Sequence, residues 1–403
     1  MSPLELRASL SLTALYALRM LGLFLILPVF AIHAMGMPGG DDHFMIGLAM
    51  GIYGLTQGLL QVPFGMLSDR IGRKQVIVPG LLLFALGSFI AAFATDLYWT
   101  IIGRGLQGAG AISGAVTALL ADLTTEKSRI RAMALVGTSI GLMFALSMLL
   151  APILYQSIGM NGIFAMTGSL ALAGVLVTLF IVPSEREVPA SIAATPPAPF
   201  LSVLFDRELL RLDFGIFALH AVLMALFVVV PSSLVSGVGL PVSEHWKIYL
   251  PVVLCSFVLM VPPIIAAERG RHFRTMFLGS IFVMFLVHAA LIGGATGIYA
   301  LSAVLVVFFT AFNVMEALLP SMVARTAPPG GRGAALGIYN TLQSLGIFAG
   351  GAAGGALRQQ GGAAAVYVFG AAVLLIWLLL GASMKAPAPR AAAKAEPTAD
   401  AAT

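Results

Sequence analysis

The chain has 403 residues, 59% of them apolar and only 10% Asp, Glu, Lys or Arg, where a soluble domain carries about 25% charged residues. So little polar side chain cannot cover a water-facing surface, which excludes an ordinary soluble domain, and so much apolar residue excludes disorder. The single cysteine, Cys255, excludes a disulfide scaffold and reads, inside an apolar run, as a small core hydrophobe.

What remains is an all-α integral membrane protein. A helix needs about 20 apolar residues to cross a bilayer. Twelve candidate spans follow in chain order: 9–34, 44–67, 76–95, 98–121, 130–157, 162–182, 210–236, 245–267, 276–294, 297–323, 333–357 and 362–384. The first is not a cleaved leader, because its apolar stretch is too long and contains Arg19. The runs are continuous, unlike the alternating segments of a β-barrel.

With the N-terminus in the cytoplasm, the cytoplasmic side carries 18 of the 22 Lys and Arg residues. Lys247 and Arg358 fall outside, and Arg19 and Arg104 lie within spans. This positive-inside bias puts both termini in the cytoplasm and explains the net charge of +5 without nucleic acid. The one long gap, 183–209, contains Pro183, Pro189 and Pro196-Pro197-Ala198-Pro199, and reads as a cytoplasmic linker. It separates six-helix halves, 1–182 and 210–384, that echo each other at an offset near 200: Arg131 and Leu135 parallel Arg332 and Leu336. Residues 385–403, rich in Ala and Pro, read as a disordered cytoplasmic tail.

The loop between the second and third spans reads Gly65-Met66-Leu67-Ser68-Asp69-Arg70-Ile71-Gly72-Arg73-Lys74. It resembles the signature loop of the major facilitator superfamily, and the resemblance extends over residues 9–384. Ala17–Gly22, Gly51–Gln57 and Glu244–Lys247 are similar to segments of the YajR-type bacterial exporters, drug–proton antiporters. Members of that branch carry a soluble C-terminal domain that this chain is expected to lack. The resemblance implies twelve helices in two six-helix bundles, with a central cavity lined by helices one, four, seven and ten. It also implies a conformational switch in which Asp69 meets the start of the eleventh helix near Gly333, and Arg73 pairs with Asp122. Gly65 and Gly72 would permit the tight turns, and Arg70 and Lys74 complete the loop.

Arg19, Arg104 and Glu316 are charged groups inside spans, each costing about 2.5–3.5 kcal/mol at a helix centre. Glu316 reads as the only acid well within a span, with Asn313 on the same helical face. His220 occupies the position in the second half that echoes Arg19. Glu316 is therefore the expected proton site, modulated by Arg19 or His220, with a static ion pair to an Arg as the structural alternative. Gly103-Arg104-Gly105-Leu106-Gln107-Gly108 fits a dinucleotide pattern but lies in a span, where that pattern carries no meaning. Arg104, Gln107 and Gly108 resemble instead the superfamily's Arg-x-x-Gln-Gly element, which is linked to proton transfer in antiporters.

Tyr53, Gln57, Gln61, Asn340 and Gln343 are polar candidates for lining a substrate cavity or for bonding between helices. Gly346, Gly350 and Gly354, and Gly47, Gly51, Gly54 and Gly58, read as close helix packing. No cofactor, metal or enzymatic activity is expected. The resemblance implies a monomeric, proton-coupled exporter of small amphipathic or hydrophobic compounds in the bacterial inner membrane. A symporter or facilitator for a metabolite, and a non-transporting sensor, are the alternatives.

Overall fold

The computed structural model describes residues 1–183, 198–268, 273–295, 297–328 and 330–384. Most of the expected linker, the expected tail, and the basic residues Arg186, Arg269, Arg271, Lys385, Arg390 and Lys394 lie outside the described residues.

Proline and glycine explain how the helices are interrupted. The first pass is α1 (Pro3–Phe24) followed by a short α2 (Phe30–Met35). The break falls where Pro28, lacking an N–H, would crowd the carbonyl of Phe24. Helix α3 (His43–Ile71) begins under an Asp42 cap, turns at Gly72 (φ 106°) and leads into α4 (Arg73–Ala92). The fourth pass is split into α5 (Leu97–Ala109) and α6 (Ser113–Asp122). Helix α7 (Glu126–Phe180) has 55 residues, a length of roughly 80 Å, and a bilayer core is about 30 Å thick. It folds back at Gly159 (φ 66°) to make two passes.

The second half repeats these devices. After α8 (Phe200–Leu204), α9 (Arg207–Ser236) starts under an Asp206 cap. A 3-10 turn at Val242–Glu244 leads into α10 (Trp246–Leu259) and α11 (Val261–Glu268), which share one pass. Then come α12 (Phe273–Ile292) and α13 (Ile298–Thr326). Helix α14 (Arg332–Ala382) folds back at Gly361 and Gly362. The described residues thus make twelve helical passes.

Within the first half, α1 and α4 pack on α7, and α3 and α4 pack on α5; within the second, α9 and α12 pack on α14, and α10 and α12 on α13. The halves meet where α3 packs on α14 and α10 on α7. One bond to a helix-end carbonyl recurs at a fixed offset. Lys74 Nζ donates to the Val182 carbonyl at 2.6 Å and Arg274 Nη2 to the Ala382 carbonyl at 2.6 Å. Both partners of the second bond lie 200 positions after those of the first.

The α3–α14 seam is asymmetric. A Cβ added at Gly47 would strike the Gly351 carbonyl, one at Gly51 would lie 2.8 Å from the Phe348 carbonyl, and one at Gly54 would strike the Ser344 carbonyl. Toward the loop end a Cβ at Gly58 meets only Leu345 and Thr341 at 3.2–3.3 Å, and Gly65, Gly333 and Gly337 face open space. The two helices are therefore in backbone contact at the end opposite the 65–74 loop and apart at the loop end. At the closed end Arg358 Nη1 donates to the Val228 carbonyl, Arg358 Nη2 lies 3.9 Å from Met35 Sδ, and the His43 amide donates to Gln359 Oε1 at 2.9 Å. Cys255 is exposed on α10 rather than in a core: its apolar neighbours in sequence reflect a lipid-facing surface.

Candidate functional site

The 65–74 loop forms a charge cluster at the open end. Arg73 pairs with Asp69, donates from Nε to Asp122 Oδ2 at 3.0 Å and from Nη1 to Ser68 Oγ at 2.7 Å. One guanidinium thus joins the end of α3, the start of α4 and the end of α6. The Asp69 side chain is 60% exposed. Its carboxylate lies on Arg73, and not on the start of α14 as the resemblance implies for Asp69, because at this end α14 stands away from α3.

Beside it, Glu5 ties α1 to the turn before α7. Its carboxylate accepts from the Thr125 hydroxyl at 2.6 Å, the Thr125 amide at 2.9 Å, the Ser128 hydroxyl at 3.1 Å and the Ser2 amide at 2.7 Å. The Thr125 hydroxyl first, then the two amides, hold the carboxyl down at about 2. Arg70, like Asp69, is exposed.

Deeper in the first half lies a buried cationic group. Arg104 is 1% exposed. It donates from Nε to the Ala49 carbonyl and from Nη2 to the Met50 carbonyl, both at 3.3 Å, and from Nη1 to Gln107 Oε1 at 3.0 Å. Gln107 in turn donates to Ser88 Oγ at 2.8 Å. These bonds brace α5 against α3 and α4. Arg19 donates to Gln57 Oε1 at 3.0 Å and to Ser113 Oγ. Both guanidiniums stand over the Tyr53 ring, at 5.9 Å for Arg19 and 5.2 Å for Arg104. Among the described residues neither pairs with a carboxylate, so the static Arg–Glu316 pair is not present. Tyr53 and Gln61 are buried, with Gln61 Oε1 unpartnered.

The second half holds the acids. His220 Nδ1 lies 3.3 Å from the Ile216 carbonyl, and Gln343 Nε2 lies 2.9 Å from His220 Nε2. Both are satisfied when the neutral ring donates from Nδ1 and accepts from Gln343 at Nε2. Glu316 Oε1 is 3.6 Å from the same Nε2 and has no hydrogen-bond partner. Glu316, His220 and Gln343 thus converge from α13, α9 and α14. Asn313 turns elsewhere, donating to Ser256 Oγ of α10 at 3.0 Å, and Asn340 is only half-buried.

Glu316 is not the only acid within a span. Asp213, on α9, is 4% exposed, and its Oδ1 has no partner. Its place in the run Leu212-Asp213-Phe214, past the Asp206 cap, is the signal that could have found it.

Toward the closed end an aromatic belt joins the halves. Phe24 meets Phe144 at 5.3 Å, Phe144 meets Phe309 at 5.7 Å and Phe309 meets Phe227 at 6.4 Å, linking α1, α7, α13 and α9. Phe312, one helical turn from Glu316, packs against the His220 ring at 5.8 Å. The belt is an apolar contact between the halves, and Phe309 ties it to Phe312 and so to His220.

This sequence matches the profile of the Major Facilitator Superfamily over residues 12–351. It is 42% identical over 388 residues to the inner membrane transport protein YajR of Escherichia coli, covering 96% of this chain and 85% of that one. It is 24% identical over 341 residues to the multidrug resistance protein MdtH of Aeromonas hydrophila, covering 82% of each. A crystal structure of a bacterial homologue of the human lysosomal transporter Spinster superposes with a TM-score of 0.76 at 14% identity, over 94% of this chain and 97% of that one.

Proposed function

Because the chain belongs to the major facilitator superfamily, a family of membrane transporters and not of enzymes, we propose that it is a proton-coupled exporter of small amphipathic compounds. The observation that carries this reading is Glu316. A carboxylate in a span with an unpartnered oxygen is costly as an anion and inexpensive as a neutral acid. Protonation of Glu316 removes a charge that His220, committed to Gln343, does not neutralise. Deprotonation favours a charged His220, which gains an Nε2–H, no longer accepts from Gln343 and donates to Glu316 instead. Proton binding therefore changes contacts among α9, α13 and α14, of which α14 and α9 meet α3 across the seam, and biases the two-state equilibrium.

The loop with Arg70 and Lys74 is taken as cytoplasmic, which makes this the inward-open state. The halves 1–182 and 210–384 move as bodies about the aromatic belt, with 183–209 as their connection. Asp69 then reaches the start of α14 when the cytoplasmic end closes. The belt offers an adaptable apolar surface. The relative named for multidrug resistance supports export of drug-like compounds, and YajR supports an inner-membrane location. Tyr53, Gln57, Gln61, Asn340 and Gln343 supply polar groups near the same space. Gln57 and Gln343 act indirectly, by holding Arg19 and His220. Arg104 and Gln107 support the first-half wall.

The test uses inverted membrane vesicles from cells lacking their main efflux pumps, with a panel of cationic and neutral fluorescent dyes and an imposed proton gradient. Gradient-driven dye uptake that a protonophore collapses and Glu316→Gln abolishes is the expected result. Full uptake by Glu316→Gln sinks the proton site. No uptake by folded wild-type protein moves the reading to a narrow metabolite carrier.

A further inference from the structure

We propose that residues 198–205, at the end of the connection between the halves, form an apolar foot seated in the lipid leaflet at the loop end. The foot holds the start of α14, the rim that Asp69 reaches when that end closes. It involves neither Glu316 nor the coupled proton.

The two sides of α8 differ. Leu201 and Phe205 are four residues apart and share one face. They are 64% and 68% exposed, and Phe200 beside them is 46% exposed. Val203, between them in sequence, points the other way and is 0% exposed. It packs on Gly331, the N-cap of α14, where an added Cβ would lie 3.1 Å from Val203 Cγ2. The Ala198 amide donates to the Gly330 carbonyl at 3.4 Å. Both the approach to α8 and its inner face thus bear on the turn before α14. Helix α8 packs on α14 and on α9, both of the second half. The last residues of the 183–209 gap therefore belong to the second-half body and are not a free tether.

Depth and charge identify what covers the outer face. Phe205 is separated from α9 only by the Asp206 cap. Leu210, in the first turn of α9 and 43% exposed, is the first exposed apolar side chain of that helix, and the expected span opens there. The foot thus adjoins the hydrocarbon boundary, the depth at which the apolar side chains of an interfacial segment sit. Single exposed apolar residues are ordinary on a surface. Phe200, Leu201 and Phe205 instead form one patch, continuous with a lipid-facing helix. The adjoining helix ends carry positive charge: Arg207, Arg325 and Arg332 are exposed at the ends of α9, α13 and α14. The acids beside them are engaged, Asp206 in its cap and Glu208 with Arg211. An apolar patch with arginines at its border fits an anionic phospholipid interface. Moving the start of α14 toward Asp69 carries α8 with it and draws Leu201 and Phe205 away from the boundary. Lipid that binds the foot therefore favours the loop-end-open state.

Depth is read by electron spin resonance on the full chain in lipid nanodiscs, in a Cys255→Ser background, with single labels at Leu201→Cys and Phe205→Cys. Oxygen, which partitions into lipid, and a water-soluble nickel chelate serve as relaxing agents. Both labels should relax with oxygen, like a reference label at the lipid-facing Leu254, and resist nickel, unlike one at the exposed loop residue Asp41. Relaxation by nickel overturns the seat. Protection from both agents overturns it too, because protein and not lipid then covers the face. The hold on the gate is read from the distance between labels at Met66 and Gly333, both exposed at the loop end. Replacing phosphatidylcholine by a mixture with phosphatidylglycerol should shift the population toward the long distance by roughly fivefold. Leu201→Gln combined with Phe205→Gln should abolish that shift. No shift in wild type, or an equal shift in the double variant, overturns the link between the foot and the rim.

Discussion

Gly351→Ala perturbs the closed seam with a single methyl group. A Cβ at position 351 would lie 2.6 Å from the Gly47 carbonyl oxygen and 2.9 Å from the Cα and N of Gly51. All three are backbone atoms, so no side-chain rotation relieves the overlap. Ordinary contact begins at 3.4 Å, so α3 and α14 must part by 3.4 − 2.6 = 0.8 Å at this level. Overpacking of this kind costs about 1–3 kcal/mol. The cost falls on the loop-end-open state alone, because opening the other end separates these two helices. The equilibrium should therefore move toward the opposite state by roughly 5- to 150-fold. The assay is pulsed electron–electron distance measurement in a Cys255→Ser background. One label pair sits at Asp41 and Gln360 of the closed end, another at Met66 and Arg332 of the open end; all four positions are exposed. Gly351→Ala should lengthen the first distance and shorten the second. Gly279→Ala, where the added Cβ meets nothing within 4 Å, should change neither. Unchanged distances in folded Gly351→Ala would refute the claim that backbone contact along this seam holds the end shut.

Three further outcomes follow from the same geometry. Arg358→Ala removes the contact of its guanidinium with Met35 Sδ, which crosses between the halves at the closed end, and should shift the equilibrium in the same direction as Gly351→Ala by at most about 1.5 kcal/mol, read from the same two distances. Asp69→Asn breaks a pair whose acid is 60% exposed, so thermal unfolding should change by less than about 1 kcal/mol; transport should nevertheless slow by on the order of tenfold, since the lost contact belongs to the gate. Glu5, held near 2 against an ordinary 4.5, is a depressed acid. Its contribution is present above about 4.5 and is lost as pH falls toward about 2, so acid titration of stability in detergent should show a loss over that window that Glu5→Gln abolishes.

Much of the fold is legible in the sequence because the bilayer imposes a local rule: a span must be about 20 apolar residues, whatever it packs against. Where a local feature breaks a helix, the sequence also carries the signal, as with Pro28 at the end of α1 and Gly159 within α7. Spacing of the glycines signals close packing but not its partner. Gly47 and Gly51 face α14, while Gly346 and Gly350 face α9 at Phe217 and Ala221. The site is less legible, since its bonds join residues far apart in the chain. Arg104 looks like a free charge in a span until the carbonyls of Ala49 and Met50 are placed beside it. Arg358 reads from charge alone as a loop residue on the outer side, whereas its guanidinium reaches the Val228 carbonyl, 130 positions away. Asp213 carries a local signal, its place past the Asp206 cap, but its burial comes from other helices packing on α9.

The central claim is tested most directly by watching protons move with substrate. Purified protein is reconstituted in liposomes with a pH-sensitive fluorophore in the lumen, and a dye found to be transported is added outside. Wild type should change lumenal pH in proportion to dye movement. Glu316→Gln should still exchange dye across the membrane at equal pH but leave lumenal pH constant. A Glu316→Gln protein that moves protons with the dye as wild type does would contradict the account.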